Sequence, residues 1–285
     1  MAFVQAGLQQ DTGKAYDMMT KEAQKSVTLA NLGTMFDFLH KTAAPFEDPR
    51  VLHTYFLQTA GGGPNSRAIC GTLANNGWVS VEIKPGVDQG HVLISAKARN
   101  NDWAFTLWML PDGNGWQVEY FHANPSSVVG LTPEVLLQRA RGERDSGHAF
   151  NAAMLYAGAQ GIADFGSAFQ LAITQPLRED LVKFQLPSEL AGNPPFIWNM
   201  QGRKFTVQRA GIIGIAGQVG VMFLLPQATW SGNDEAEKFN REFINAFIAA
   251  HPDYTRSFSF LVARALKPDN SGGFGTVYQN GKGFD

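Results

Sequence analysis

The sequence predicts an α+β protein of more than one domain, and three observations carry this. Residues 3–40 repeat apolar side chains at helical spacing. From residue 51 to residue 122 the period is two, the alternation of half-buried strands. A second helical block then gives way to strand, strand, helix, strand, strand. Length agrees, since single cores stop growing near roughly 250–300 residues and this chain has 285.

In the first block Tyr16, Met19 and Ala23 share a face, and Met35, Phe36 and Leu39 follow. Gly33 marks a break between them. Ala44-Pro45-Phe46-Glu47-Asp48-Pro49 is a loop, because two prolines cannot continue a helix. Strands are expected at 51–59, 68–73, 78–84, 91–99, 103–110 and 116–122. Gly61-Gly62-Gly63-Pro64, Asn75-Asn76-Gly77, Asp88-Gln89-Gly90, Asn100-Asn101-Asp102 and Asp112-Gly113-Asn114-Gly115 separate them. Asn and Gly tolerate the positive φ of hairpin turns, so the strands read as one antiparallel meander. Alternation places Val92, Ile94, Ala96 and Ala98 on a face covered by the helices, and Ser95, Lys97 and Arg99 on a wetter one. It groups Trp116, Val118, Tyr120 and His122, with Gln117 and Glu119 opposite.

Residues 124–131 read as a linker. Thr132 then caps a helix that opens on Pro133. Further helices are expected at 148–163 and 167–184, parted by Gly166, before a second linker at Gly192-Asn193-Pro194-Pro195. The expected domains are therefore 1–124, a helical connector at 132–192, and a C-terminal α+β domain at 196–285. In the last, strands at 203–209 and 212–225 precede a helix at 235–250 and strands at 258–266 and 275–279. The run from Ala210 to Pro226 has Gln218 as its only polar side chain. It is shorter than the roughly 20 residues of a spanning helix, and its glycines weaken any helix. It reads as a buried hairpin turning at Gly217-Gln218, with no membrane span. Phe239, Phe243 and Phe247 form one helical stripe, with Arg241, Glu242 and Asn245 off it. An antiparallel sheet should receive the stripe through Phe223, Leu225, Phe258, Phe260 and Val262.

Composition removes several functions. The net charge is −2 and Lys and Arg are scattered, so neither nucleic acid nor an anionic membrane is an expected partner. One cysteine, Cys70, excludes an intramolecular disulfide and a Cys-rich zinc site. Its apolar neighbours make it a small buried hydrophobe rather than a reactive thiol. The six histidines, His40, His53, His91, His122, His148 and His251, show no local metal-ligand spacing, and no metal is expected. Ser271-Gly272-Gly273-Phe274-Gly275 looks like the glycine-rich loop of protein kinases, but too little chain follows for the catalytic Lys and Asp residues. Ile213-Gly214-Ile215-Ala216-Gly217 leads into a strand, not the helix that a dinucleotide loop requires. No cofactor is expected, and no Gly-x-Ser-x-Gly elbow occurs. The start shows no signal-peptide pattern. The protein is thus cytoplasmic, or exported or membrane-anchored if a leader has been removed.

Helices followed by a long meander, closed by Asp112-Gly113-Asn114-Gly115-Trp116-Gln117-Val118, resemble the nuclear transport factor 2-like superfold over residues 3–124. Asp11-Thr12-Gly13-Lys14-Ala15-Tyr16 resembles the first-helix pattern of its bacterial members. The resemblance implies a cone of sheet wrapped on helices, with a possible pocket and no fixed chemistry. Tyr16, Trp116, Tyr120 and His122 are the candidate ligand contacts. Tyr55, Tyr120 and His122 are the candidate catalytic groups, although a histidine at a strand end has a plainer role as a hydrogen-bonding group. With no carboxylate on the inner strand faces, the sequence favours a non-catalytic protein that binds a small apolar ligand or another protein. The alternative is an isomerase-, dehydratase- or hydrolase-type enzyme using the same pocket.

Overall fold

The structure, a computed structural model, describes residues 1–71, 78–99, 101–113 and 115–284. The turn expected at Asn75-Asn76-Gly77, and positions Asn100 and Asn114 of two others, lie outside the described residues. The chain is α+β and divides into two compact units. The first is Met1–Gly130 with Gly161–Pro176, and the second is Leu131–Gln160 with Leu177–Asp285. Residues 132–192 are thus shared between the units.

The first unit opens with α1 (Ala2–Leu8), α2 (Thr12–Asp17), α3 (Lys21–Ser26) and α4 (Leu29–Ala43). Side-chain caps set the last three starts: Asp11, Thr20 and Thr28 accept from the backbone N–H groups of Lys14, Ala23 and Asn31. Gly33, expected at a break, lies inside α4, because the cap at Thr28 starts the helix five residues earlier. Strands β1 (Glu47–Leu57), β2 (Ser66–Gly71), β3 (Trp78–Ile83), β4 (Gln89–Lys97), β5 (Asp102–Asp112) and β6 (Gly115–Pro125) follow. They do not form one meander. β1 pairs with β4, giving a sheet of order β1-β4-β5-β6, while β2 and β3 make a second sheet with β7 (Phe169–Leu171). The small sheet has an apolar face in Val79 and Val81 that must be buried, and it packs on the main sheet through Leu93, Trp108 and Phe169. Helices cover the opposite face of the main sheet, where Ile94, Phe105, Leu107 and Val118 meet Phe3, Leu32 and Phe36. The face expected to be wetter is therefore exposed only toward Lys97. His91 and Leu93, on the same face, are buried.

A bulge corrects the expected faces of β6. Trp108 pairs with Tyr120 but Met109 pairs with Val118, so Glu119 is the extra residue. Val118 then belongs to the helix-side core and Tyr120 packs with the small sheet. Opposite the bulge, Val118 N–H donates to Met18 O and Thr20 N–H donates to Val118 O, at 2.8 and 3.0 Å. These bonds cover part of an otherwise open strand edge.

The second unit holds α5 (Pro133–Asp145) and most of α6 (Ala149–Ile162) and α7 (Thr174–Lys183). The helix expected from residue 167 begins only at Thr174, because Phe169–Leu171 pairs with β3. Asp180 of α7 accepts from Arg141 Nε of α5 at 2.5 Å and from the Tyr156 hydroxyl of α6 at 3.4 Å. The hairpin of β8 (Phe196–Met200) and β9 (Arg203–Val207) precedes β10 (Arg209–Ile215), β11 (Gln218–Pro226), α8 (Asn233–Ala250), β12 (Phe260–Leu266), β13 (Gly273–Gln279) and β14 (Gly283–Phe284). The last five strands form one sheet in chain order. It was expected to be antiparallel, and one of its pairs, β11 with β12, is parallel. The chain leaves β11, crosses through α8 and re-enters in the same direction. The kinase-like glycines lie in the β12–β13 hairpin, where Gly273 pairs with Leu266.

The Phe stripe of α8 is in place, with Phe243 and Phe247 fully buried. Val221, Phe223 and Leu225 face it, and in-register pairing adds Leu261, Ala263 and Ala265. Phe260 and Val262 were expected on that face. Their partners Gly220 and Met222 put them on the other.

The hairpin within Ala210–Pro226 turns one residue earlier than expected. Ile215 pairs with Gln218, leaving Ala216 at φ 48° and Gly217 at φ 76°. Two positive φ values make a type I′ turn, whose twist suits a two-residue hairpin. An alanine in the left-handed region costs about 1–2 kcal/mol. Ala216→Gly should therefore raise the stability of the second unit by about 1 kcal/mol in urea denaturation. An unchanged or lower midpoint would show that Ala216 is unstrained.

Candidate functional site

A cavity of about 380 Å³ opens in the first unit between α3, α4 and β6. Met19, Ala23, Val27, Leu32, Met35 and Phe121 make its walls apolar, while Glu22, Ser26, Glu119 and Tyr120 supply polar atoms. α3 has only six residues, too short to stand on propensity, and its neighbours hold it. Thr20 caps it, the Tyr16 hydroxyl donates to Gln24 O at 3.2 Å, and Gln24 Nε2 donates to Tyr16 O at 2.8 Å. Tyr16, expected to touch a ligand, thus ties α2 to α3 and does not line the cavity.

Glu119 is the residue that sequence reasoning missed. Alternation put it on the outer face with Gln117, but the bulge places it on the cavity wall. The Thr20 hydroxyl donates to Glu119 Oε2 at 2.5 Å. Thr20 therefore caps α3 and fixes the carboxylate with one oxygen atom. The bulge that brings Glu119 to Thr20 is not legible in β6 read alone.

Of the other candidates, Tyr120 borders the cavity and the rest lie elsewhere. Across the main sheet, Tyr55 pairs with His91, His91 with Trp108, and Trp108 with Tyr120. These four side chains form a row facing the small sheet, and Tyr120, at the end of the row, also borders the cavity. His91 stacks on Trp108 with ring centroids 5.7 Å apart, and Trp108 Nε1 donates to Gln89 Oε1 at 3.0 Å. The Tyr120 hydroxyl accepts from Ser167 N–H at 3.0 Å. The Tyr55 hydroxyl is buried without a partner, and burial, with Cys70 adding, pushes its pKa above the usual value. Burial also pushes the Cys70 thiol up, consistent with a small hydrophobe rather than a nucleophile.

His122 sits beside Tyr120, two residues along the strand. Its Nε2 is buried without a hydrogen bond, 4.0 Å from Asp164 Oδ1. Gly166, at φ 79°, closes over both side chains, and a Cβ there would overlap the Tyr120 hydroxyl and the His122 ring. Tyr120 and His122 are thus brought together, but Tyr55 is three strands away, about 14 Å at normal strand spacing. No single reacting atom lies within hydrogen-bond reach of all three. Trp116 is 43% exposed and meets Phe56 edge to face at 5.7 Å, outside the cavity.

In the second unit Glu143 accepts from the Ser257 hydroxyl at 2.8 Å and lies 2.7 Å from His148 Nδ1. The residue types suit nucleophilic catalysis, but their order does not. The carboxylate stands between serine and histidine, so the imidazole cannot take the serine proton. Among the described residues no group of three His, Cys, Asp or Glu could hold a metal ion, and no helix is long and apolar enough to cross a membrane. The chain matches no protein-family model, no curated protein and no solved structure.

Proposed function

We propose that this is a non-catalytic binding protein whose first unit holds a small apolar ligand between α3, α4 and β6. The cavity carries the reading. Its 380 Å³ falls at the small end of the roughly 300–1,000 Å³ typical of ligand sites, and methionine, valine, leucine and phenylalanine dominate its wall. Met19 and Met35 suit such a role, because an unbranched thioether adapts to irregular apolar shapes. The proposed kinship with the nuclear transport factor 2-like superfold is supported by four helices on one face of an antiparallel sheet. The hairpin of β2 and β3, which leaves that sheet, departs from a plain meander.

A second reading is an isomerase-, dehydratase- or hydrolase-type enzyme. One observation favours it: the Tyr55 hydroxyl and His122 Nε2 are buried without partners. Both lie on the face away from the cavity, so a substrate in the cavity would not meet them.

The test is titration with N-phenyl-1-naphthylamine, an apolar dye that brightens out of water. Saturable micromolar binding is expected, weakened at least about tenfold in Met35→Trp, whose indole would fill the space. A tenfold loss is about 1.4 kcal/mol. Binding that is absent, or that Met35→Trp leaves unchanged with its melting temperature intact, would remove the cavity as the site.

A further inference from the structure

We infer that the ligand of this cavity is an apolar body carrying one protonated amine, with Glu119 as its counter-charge. The inference rests on the binding role proposed above. The lining contains two carboxylates, Glu22 and Glu119, and no lysine, arginine or histidine. Glu22 already has a partner: Lys25 Nζ lies 2.8 Å from its Oε1, on an open surface. Glu119 is different. Its Oε2 accepts the Thr20 hydroxyl, and among the described residues no cation stands within salt-bridge distance of it.

An ionised carboxylate accepts hydrogen bonds and donates none. A half-buried one beside apolar walls lacks the hydration it has in open water, so an incoming positive donor gains more there than at the surface. An ammonium supplies both the charge and the N–H groups. A carboxylate ligand would instead meet two negative groups in the same wall. A neutral ligand would fill the apolar space and leave Glu119 to water. The Thr20 hydrogen bond and the bulge hold the Glu119 side chain in one place, so little ordering remains for the ligand to impose. Ser26 adds no competing charge: its hydroxyl, which donates to Glu22 O at 3.3 Å, is a neutral acceptor.

The test is displacement of bound N-phenyl-1-naphthylamine at pH 7.5 by octylamine, octanol and octanoate, which share a chain and differ in the head group. Octylamine should bind at least about tenfold tighter than octanol in the unaltered protein, and octanoate weakest. Glu119→Gln keeps an acceptor for Thr20 and removes the charge. It should bring octylamine to the level of octanol while octanol is unchanged. Glu22→Gln should leave the preference in place. Equal displacement by amine and alcohol in the unaltered protein overturns the inference and leaves the apolar site standing. A preference that persists in Glu119→Gln also overturns it, by showing that another group reads the charge. Displacement by none of the three overturns the binding role itself, and this inference with it.

Discussion

Phe243→Ala should destabilise the second unit by about 3–5 kcal/mol, the cost of removing a fully buried phenylalanine. Phe243 is 0% exposed. Its ring lies 5.0 Å from that of Phe223, 5.4 Å from that of Phe205 and 5.9 Å from that of Trp198. These partners come from β11, β9 and β8, so one side chain joins the sheet, the β8–β9 hairpin and α8. Truncation leaves a cavity lined by rigid rings. Such a wall collapses poorly, which places the cost toward the upper part of the range. Against a total stability of roughly 5–15 kcal/mol, the unit would be near its unfolding threshold at ambient temperature. Calorimetry of the whole chain should show one transition moving sharply down. Asn245→Ala, exposed on the same helix, should shift it within about 0.5 kcal/mol. A Phe243→Ala protein as stable as Asn245→Ala would mean that this stripe is not the centre of the core.

The stripe was legible because helical spacing is a local signal, and Phe239, Phe243 and Phe247 state it without reference to the rest of the chain. The strand segments were legible for the same reason, since alternation and turn residues are written within a few positions. Pairing is not local. Nothing in Arg67-Ala68-Ile69-Cys70 says that its hairpin leaves the main sheet, because two strands of one-sided apolarity can lie beside β1 or on top of it. The edge position shows only in the structure, where Ile69 is 74% exposed. Glu119 illustrates the cost for the site. A bulge is a mismatch between two strands, here Met109 with Val118 and Trp108 with Tyr120, and one strand read alone keeps its period. The alternation of β6 therefore sent His122 to the cavity and Glu119 away from it, the reverse of their positions, while Tyr120 borders the cavity as expected. The parallel pair in the second sheet was legible in principle. A helix between two strands lets the chain return in the same direction, and that order was plain from Ser231 to Phe258.

His91 should make the protein acid-sensitive between pH 6.5 and about 4, and His91→Phe should remove that part of the sensitivity. The imidazole is fully buried between Trp108 and Phe169, and neither ring nitrogen has a hydrogen-bond partner. Burial lowers its pKa to about 4, the Glu82 backbone pulls it partly back, and the Arg67 charge lowers it further. The other polar groups near it are no remedy for a cation, since Tyr55 opposite it is neutral and Cys70 is held protonated by burial. Above pH 6.5 the histidine is neutral in both folded and unfolded chains and contributes no pH dependence. As pH falls below 6.5 the unfolded chain takes up a proton that the folded protein refuses, so stability declines. The decline ends near pH 4, where the folded protein also protonates, after a loss of about 3 kcal/mol. Phenylalanine fills much the same space and brings no unpartnered nitrogen. Any strain from its extra volume would appear equally at every pH, so the readout is the slope and not the absolute stability. Urea unfolding at pH 7.5 and pH 4.5 should show the unaltered protein losing about 2–3 kcal/mol more than His91→Phe. Equal losses in the two proteins would mean that His91 protonates in the folded state as easily as in the unfolded one. That outcome would require water or a moving element to reach a ring that the packing of β3, β4, β5 and β7 encloses.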